Sequence, residues 1–177
     1  MKRFLQYVTM ALLALALAIP VIAQEAGGHM AMSPTDEFTE AADPRFPVGT
    51  YVVLNADHMP GMMGAGGVIS GAFDTVLYAI NFTSAETGER MENHRWVIHE
   101  EIEGHREEPY SVGDVVTLMP GHISGMGGEG VQAEIAEVVR GVAYMVDFMP
   151  TDGGEEVVNH QWLSEDELFA CCPLPVP

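Results

Sequence analysis

Positive charge is what this 177-residue chain lacks. Lysine and arginine together number 7 against 26 aspartates and glutamates, for a formal net charge of −19. The single lysine, Lys2, stands beside Arg3 at the N-terminus, so the rest of the chain is positively charged only at Arg45, Arg90, Arg95, Arg106 and Arg140, apart from histidine. Such a surface repels nucleic acid and anionic lipid and concentrates cations, which excludes nucleic acid as a partner. Cysteine is nearly absent. The two present, Cys171 and Cys172, are adjacent in a proline-rich tail, and neighbours of this kind cannot build an internal disulfide framework. They are left to inter-chain bridges, metal ligation, or no role beyond that of a tail. There is one long apolar run, at the N-terminus. No nucleophile elbow, phosphate loop or His-Glu-x-x-His pattern occurs, so no catalytic activity is expected.

The apolar run, Val8 to Ile22, follows Lys2 and Arg3 and ends at Val21-Ile22-Ala23, a small-residue cleavage site. Residues 1–23 therefore read as a signal peptide, and the protein is expected to be exported: periplasmic, surface-held or secreted. The run is too short to span a bilayer, which takes about 20 residues. No transmembrane segment is expected after cleavage. Cleavage would take the formal charge to −21. Residues 24–46 are rich in small and acidic residues and read as a flexible leader, with a His29-Met30-Ala31-Met32 cluster.

The remainder says the same thing twice. His58-Met59-Pro60-Gly61-Met62 returns as His122-Ile123-Ser124-Gly125-Met126. At nearly the same offset, Asn93-His94-Arg95-Trp96 returns as Asn159-His160-Gln161-Trp162. Repeats of this length define the architecture. The first spans 47–104 and the second 112–169, joined by a charged linker at 105–111 and followed by the tail at 170–177. In each copy a β-rich strand (Val48–Leu54, Val112–Leu118) leads into a glycine-dense turn. Strands follow at Val68–Ser70 and Val76–Phe82 in the first copy and at Ala143–Phe148 in the second, and each copy closes on its His-Trp strand. Residues two apart in a strand share a face, so His94 and Trp96 are expected on one side. Short strands with regular turns imply an all-β fold of small barrels or a sandwich. About sixty residues make a poor independent core, so the two copies should pack together.

The repeated side chains have soft-metal chemistry. Thioether sulfur suits Cu(I), and imidazole serves both copper oxidation states without the oxidation that disables thiols outside the cytoplasm. His58, Met59, Met62 and Met63, brought together by Gly61 and Gly64, form the first candidate ligand set; His122 and Met126 remain of it in the second copy. His94 and His160 have two readings. Each is either a third ligand beside a glycine turn, with Trp96 or Trp162 shielding the ion by cation–π contact, or an interior histidine beside a core tryptophan. His99 and His105 occur only in the first copy and read as surface residues, and Glu100-Glu101 and Glu155-Glu156 as solvated faces.

The doubled pattern His-Met-x-Gly-Met, Tyr strand and Asn-His-x-Trp resembles the YdhK family of exported bacterial proteins, over residues 47 to 169. Its members are mostly lipoproteins with two tandem copies of a small domain, and they include CopL-like copper-binding surface proteins. The Val-Gly-Asp-x-Val opening of the second copy (Val112–Val116) also resembles KOW-type SH3-like barrels. The resemblance implies two tandem small SH3-like barrels and a protein that buffers or sequesters copper. The chain departs from the pattern in having no lipobox cysteine, which removes the implied lipid anchor, and in placing Ile123 where the first copy has Met59. An envelope interaction module of SH3-like barrels, with a cell-envelope protein as partner and no metal role, is the alternative.

Overall fold

The computed structural model describes residues 38–85, 87–119 and 130–171. The segment expected to be a signal peptide, the His29–Met32 cluster, His122, Met126 and Cys172 lie outside the described residues. The chain forms β1 (Tyr51–Leu54), β2 (Gly66–Thr83), β3 (Arg90–Ile98), β4 (Val115–Thr117), β5 (Gln132–Phe148), β6 (Val157–Leu163) and β7 (Leu168–Ala170), with 3-10 turns at His99–Glu101 and Glu165–Glu167. The all-β expectation holds. The described strands make one open, seven-stranded sheet in the order β4-β5-β2-β1-β7, with β3 on β2 and β6 on β5, rather than two closed barrels.

The sheet is organised by two long strands. Two short strands were expected where β2 runs unbroken for 18 residues, because β2 pairs antiparallel with β5 from Gly67↔Phe148 to Phe82↔Ala133. The offset that carries Trp96 onto Trp162 also carries Thr75 onto Gly141. Within the ladder Thr75 faces Gly141, its own counterpart, while Phe73↔Ala143 and Leu77↔Val139 exchange under the same shift. A pseudo-twofold axis therefore crosses the sheet at Thr75 and Gly141.

Antiparallel pairing about such an axis swaps halves between the copies. One core cluster joins Phe46 of the leader and Val52, Leu54, Met62 and Ile69 of the first copy to Tyr144, Val146, Phe148, Leu163 and Leu168 of the second. Another joins Tyr78, Ile80, Phe82, Val97 and Ile102 to Val116, Leu118, Ala133 and Ile135. A third, around the axis, holds Phe73, Leu77, Trp96, Ile98, Ala143, Met145 and Trp162. The two copies thus pack together by exchange, and each buries the other's apolar faces.

Two reciprocal hydrogen bonds fasten the exchange. The Trp96 indole N–H donates to Glu167 Oε2 at 2.6 Å, and the Trp162 indole N–H donates to Glu101 Oε1 at 2.9 Å. Glu101 is 1% exposed, so the expected solvated face at Glu100-Glu101 is corrected: its carboxylate also accepts from the Ile98 backbone N–H at the head of the 3-10 turn. Burying a carboxylate is costly unless donors satisfy it, which is why each glutamate takes an indole from the opposite copy.

His94 and Trp96 line one cleft but pack into different clusters. Tyr78 pairs with Val97 and Ile80 with His94, so two steps on β2 meet three on β3. A bulge of one residue reverses the faces beyond it. His94 packs edge-on to Phe82 at 5.7 Å, whereas Trp96 joins the central cluster. Asn93 and Asn159 take left-handed φ values of 53° and 52°, which asparagine tolerates better than most residues. Their backbone N–H groups are held by the Asn81 and Asp147 side chains. The peptide bonds Arg95–Trp96 and Gln161–Trp162 are cis.

Three further outcomes concern the leader and two histidines. The leader, expected to be flexible, is docked from Phe38 onward, with Glu40 bridging to Phe73 and Phe46 in the first core. His99, expected at the surface, is buried, its Nδ1 2.8 Å from the Tyr78 hydroxyl and its Nε2 2.6 Å from the Arg106 carbonyl. His105, by contrast, is exposed as expected.

Replacing Trp162 with Phe removes the indole donor to Glu101. It should lower unfolding free energy by about 1–3 kcal/mol, read from urea melts. A double-mutant cycle with Glu101→Gln should show coupling above about 0.5 kcal/mol, the level expected of contacting partners. Strict additivity would deny that the bond fastens the two copies.

Candidate functional site

The candidate site lies where the His58 loop of the first copy meets the last 3-10 turn of the second. Glu167 is its centre. Its Oε2 accepts from the Ser164 backbone N–H at 2.9 Å, the Ser164 hydroxyl at 3.0 Å and the Trp96 indole, leaving Oε1 to face His58 Nε2 at 2.9 Å. The His58 and Glu167 side chains are 13% and 9% exposed, so the contact is largely shielded from water. Arg95 NH1 lies 3.9 Å from the same Oε1, and its NH2 pairs with Glu137 at 2.9 Å. Burial pulls the Glu167 carboxyl towards the neutral form. The His58 hydrogen bond and charge, with the donors from Ser164 and Trp96, outweigh it and hold the group below its ordinary value of 4.5.

The His58 loop is tied down by backbone. Asn55 N–H donates to the Glu167 carbonyl at 2.8 Å, and the Gly61 carbonyl accepts from Thr151 N–H at 2.9 Å and from Thr151 Oγ1 at 3.1 Å. Gly61 has φ +76°, and a Cβ there would sit 2.7 Å from Asp152 Oδ1. Glycine is thus required for the close approach of the two copies. This is a different use from the gathering of ligands expected of it.

The predicted ligands divide. Met62 is fully buried in the first core, and Met59 packs partly buried against the same cluster. Met63 points outward and is 50% exposed. The thioethers therefore do not gather around His58. His160, from the second copy, is buried with its ring 6.1 Å from the His58 ring and edge-on to Phe148 at 5.7 Å. His94 shares with His58 a cleft of about 660 Å³, whose walls also carry Asp57, Glu92, Glu137 and Asp166. Among the described residues no group of three or more His, Cys, Asp or Glu side chains is arranged as a ready-made metal cage.

Sequence reasoning missed Glu101 and Glu167. The signal was available, since each lies five positions after a repeated tryptophan and the two match under the offset that relates the tryptophans. Their acidic neighbours disguised them as solvated charge.

Because Glu167 ionises more readily folded than unfolded, its contribution to stability is full above about pH 4.5 and is lost as pH falls through the lower folded-state value. Glu167→Gln should remove that contribution. The gap between the urea midpoints of the native protein and the variant should narrow steadily below pH 4.5. A gap that stays constant on acidification would mean that the charge on Glu167 does not matter. His58→Ala should shift the acid loss of stability to higher pH.

Comparisons with known proteins agree with this architecture. The sequence profile of a family described as protein of unknown function (DUF1541) matches residues 48–99 and 112–165. The uncharacterized protein YdhK of Bacillus subtilis is 41% identical over 131 residues, which is 74% of this chain; the chain spans 63% of that relative's length. A crystal structure of YdhK, a DUF1541 family protein from Bacillus subtilis, superposes with a TM-score of 0.74 at 39% identity, covering 78% of this chain and 93% of the other. A solution structure of the YdhK C-terminal domain gives 0.65 at 42% identity, over 71% and 93%. The duplicated His-x-x-Gly-Met and Asn-His-x-Trp motifs, the swapped sheet and these matches together establish that the chain belongs to the DUF1541 family, the family of YdhK.

Proposed function

We propose that this is an exported, non-catalytic copper-binding protein that buffers or sequesters copper at the junction of its two copies. The observation that carries the reading is the meeting of two imidazoles from different copies, His58 and His160, beside the carboxylate of Glu167. His58 Nε2 and Glu167 Oε1, hydrogen-bonded at 2.9 Å, would hold the metal together with His160. A donor set of imidazole and carboxylate suits Cu(II) better than the thioether set read from the sequence. Copper would supply a positive charge between these groups in place of the shared proton. The acidic surface raises the local cation concentration. Ser164 and Trp96 hold the carboxylate in place, the kind of outer support that metal ligands commonly have. The SH3-like form of each half belongs to the same proposal. It is supported by the run β6-β5-β2-β1-β7, in which β6 leads through the 3-10 turn directly into β7.

The envelope interaction module is the second reading. It is favoured by exposed apolar residues that recur in both copies, Val48 with Val112 and Tyr51 with Val115, all about two-thirds exposed.

Titration of the isolated protein with Cu(II) against a competing chelator tests the first reading. His58→Ala and His160→Ala should each weaken binding at least about tenfold, the scale on which even supporting groups of metal sites act, whereas Met62→Leu should leave affinity unchanged. Unchanged affinity in a His58→Ala, His160→Ala double variant would remove copper from this junction. Loss of Cu(I) binding in Met59 and Met63 variants alone would transfer the site to the thioethers.

A further inference from the structure

The two copies treat one stretch of the central ladder differently. On the outer edge of β2, between the residues paired with β1 and those paired with β3, lies a gap around Ala72–Asp74. It is filled by the segment Phe38–Ala41. Ala41 N–H donates to the Ala72 carbonyl at 3.0 Å, Asp74 N–H donates to the Thr39 carbonyl at 2.9 Å, and Glu40 bridges Phe73 in antiparallel fashion. Phe38 seats its ring edge-on against Phe73 at 5.7 Å and Trp162 at 5.8 Å. Gly71 makes room for this aromatic stack, since a Cβ there would lie 2.7 Å from the Phe73 ring. Gly71, Ala72 and Phe73 are buried as a result.

Under the shift that relates Thr75 to Gly141, the same place on β5 is Glu137–Arg140. Its outer edge lies between the residues paired with β4, ending at Glu134, and those paired with β6, beginning at Tyr144. Among the described residues no segment pairs there, and Glu137, Val138 and Val139 are half-buried where Gly71, Ala72 and Phe73 are buried. The stretch that the shift would bring to it, His105–Glu107, is held elsewhere: the Arg106 carbonyl faces His99, and its guanidinium lies over Tyr110 at 4.5 Å. Val139 and Trp96, the counterparts of Phe73 and Trp162, line the open cleft.

We propose that this edge and cleft form a docking site for an extended peptide segment of a partner protein, one that carries a bulky aromatic residue flanked by basic residues. The peptide adds as a strand along Val138–Arg140, as Thr39–Ala41 does on β2, and its ring enters the cleft beside Val139 and stacks on the Arg95 guanidinium, which lies over the Trp96 ring at 4.8 Å, where Phe38 meets Phe73 and Trp162 directly. Strand addition to an open edge, with a side-chain pocket for specificity, is a general mode of peptide capture. The charge of the walls selects the partner. Asp57, Glu92, Glu137, Asp166 and Glu167 line the cleft with Arg95, His58 and His94; Arg95 pairs with Glu137 at 2.9 Å and exposed Arg140 lies on the edge itself, so the carboxylates still outnumber the two arginines. The chain's own segment, Glu37-Phe38-Thr39-Glu40, is acidic, so a second copy offering it would be repelled. His58 and Glu167 of the copper reading line the same cleft, so the peptide test is made with chelator present, where it can succeed or fail whatever the outcome of the copper titration.

The test uses the isolated, isotope-labelled protein with chelator present, titrated with blocked peptides and followed by NMR. The probe is Lys-Phe-Thr-Lys-Ala, the native Phe38 segment with its acids changed to lysine. The controls are the acidic native peptide and Lys-Ala-Thr-Lys-Ala. Saturable shifts are expected at the Val138–Arg140 amides and the Trp96 indole N–H, with both controls at least about fivefold weaker, roughly the equivalent of 1 kcal/mol. Glu137→Lys, a change at a half-exposed side chain, should reverse the preference between basic and acidic peptides. Equal binding of all three peptides, shifts elsewhere, or no saturation would overturn the proposal. Concentration-dependent shifts of the same edge without peptide would overturn it too, by assigning the edge to a second copy.

Discussion

The antiparallel ladder between β2 and β5 is the interaction on which the rest of the molecule depends. Because Thr75 pairs with its own counterpart, Gly141, the ladder must carry each copy's second half across to the other copy's first half. From that crossing follow the mixed cores, the docking of the His58 loop against the second copy, and the exchange of indole donors between Trp96 and Trp162 and the buried carboxylates of Glu167 and Glu101. Neither copy could satisfy its buried glutamate with its own tryptophan in this arrangement. The polar bonds and the apolar burial therefore favour the same exchanged pairing.

At the junction the same economy of donors shapes the electrostatics. Glu167 is fixed by three donors on one oxygen, so the other oxygen presents itself to His58 in a set direction. A buried carboxylate held below its ordinary pKa lies beside one imidazole, with a second imidazole 6.1 Å away, ring to ring, so the polar groups of the two copies converge here. That is the physical basis for placing the metal reading at the meeting of two copies rather than inside one glycine turn.

Pseudo-symmetry also makes departures from it informative. Gly71 and Phe73 in one half correspond to Glu137 and Val139 in the other. The first pair accepts Phe38 and closes an edge; the second leaves an acidic cleft with a half-buried floor. The two halves thus present equivalent edges, one paired with Thr39–Ala41 and the other, among the described residues, without a strand partner.

The amino-acid sequence by itself determined the all-β class, the two copies and their motifs, and the recurrence of His94 and Trp96 as His160 and Trp162. All of these are local: alternation of apolar residues, glycine-rich turns and recurrence at a fixed interval need no knowledge of distant partners. Tertiary structure alone decided how these residues meet. Periodicity placed His94 and Trp96 on one face, but a bulge, which depends on register against β2, parted them. Met62 and His58 are neighbours in a promising turn, yet the core took the thioether and Glu167 took the imidazole. The burial of Glu101 and Glu167 stayed hidden because a carboxylate enters a protein interior only when its donors are there to receive it, and the indoles that complete the local sets from Ile98 and Ser164 lie 61 and 71 residues away along the chain.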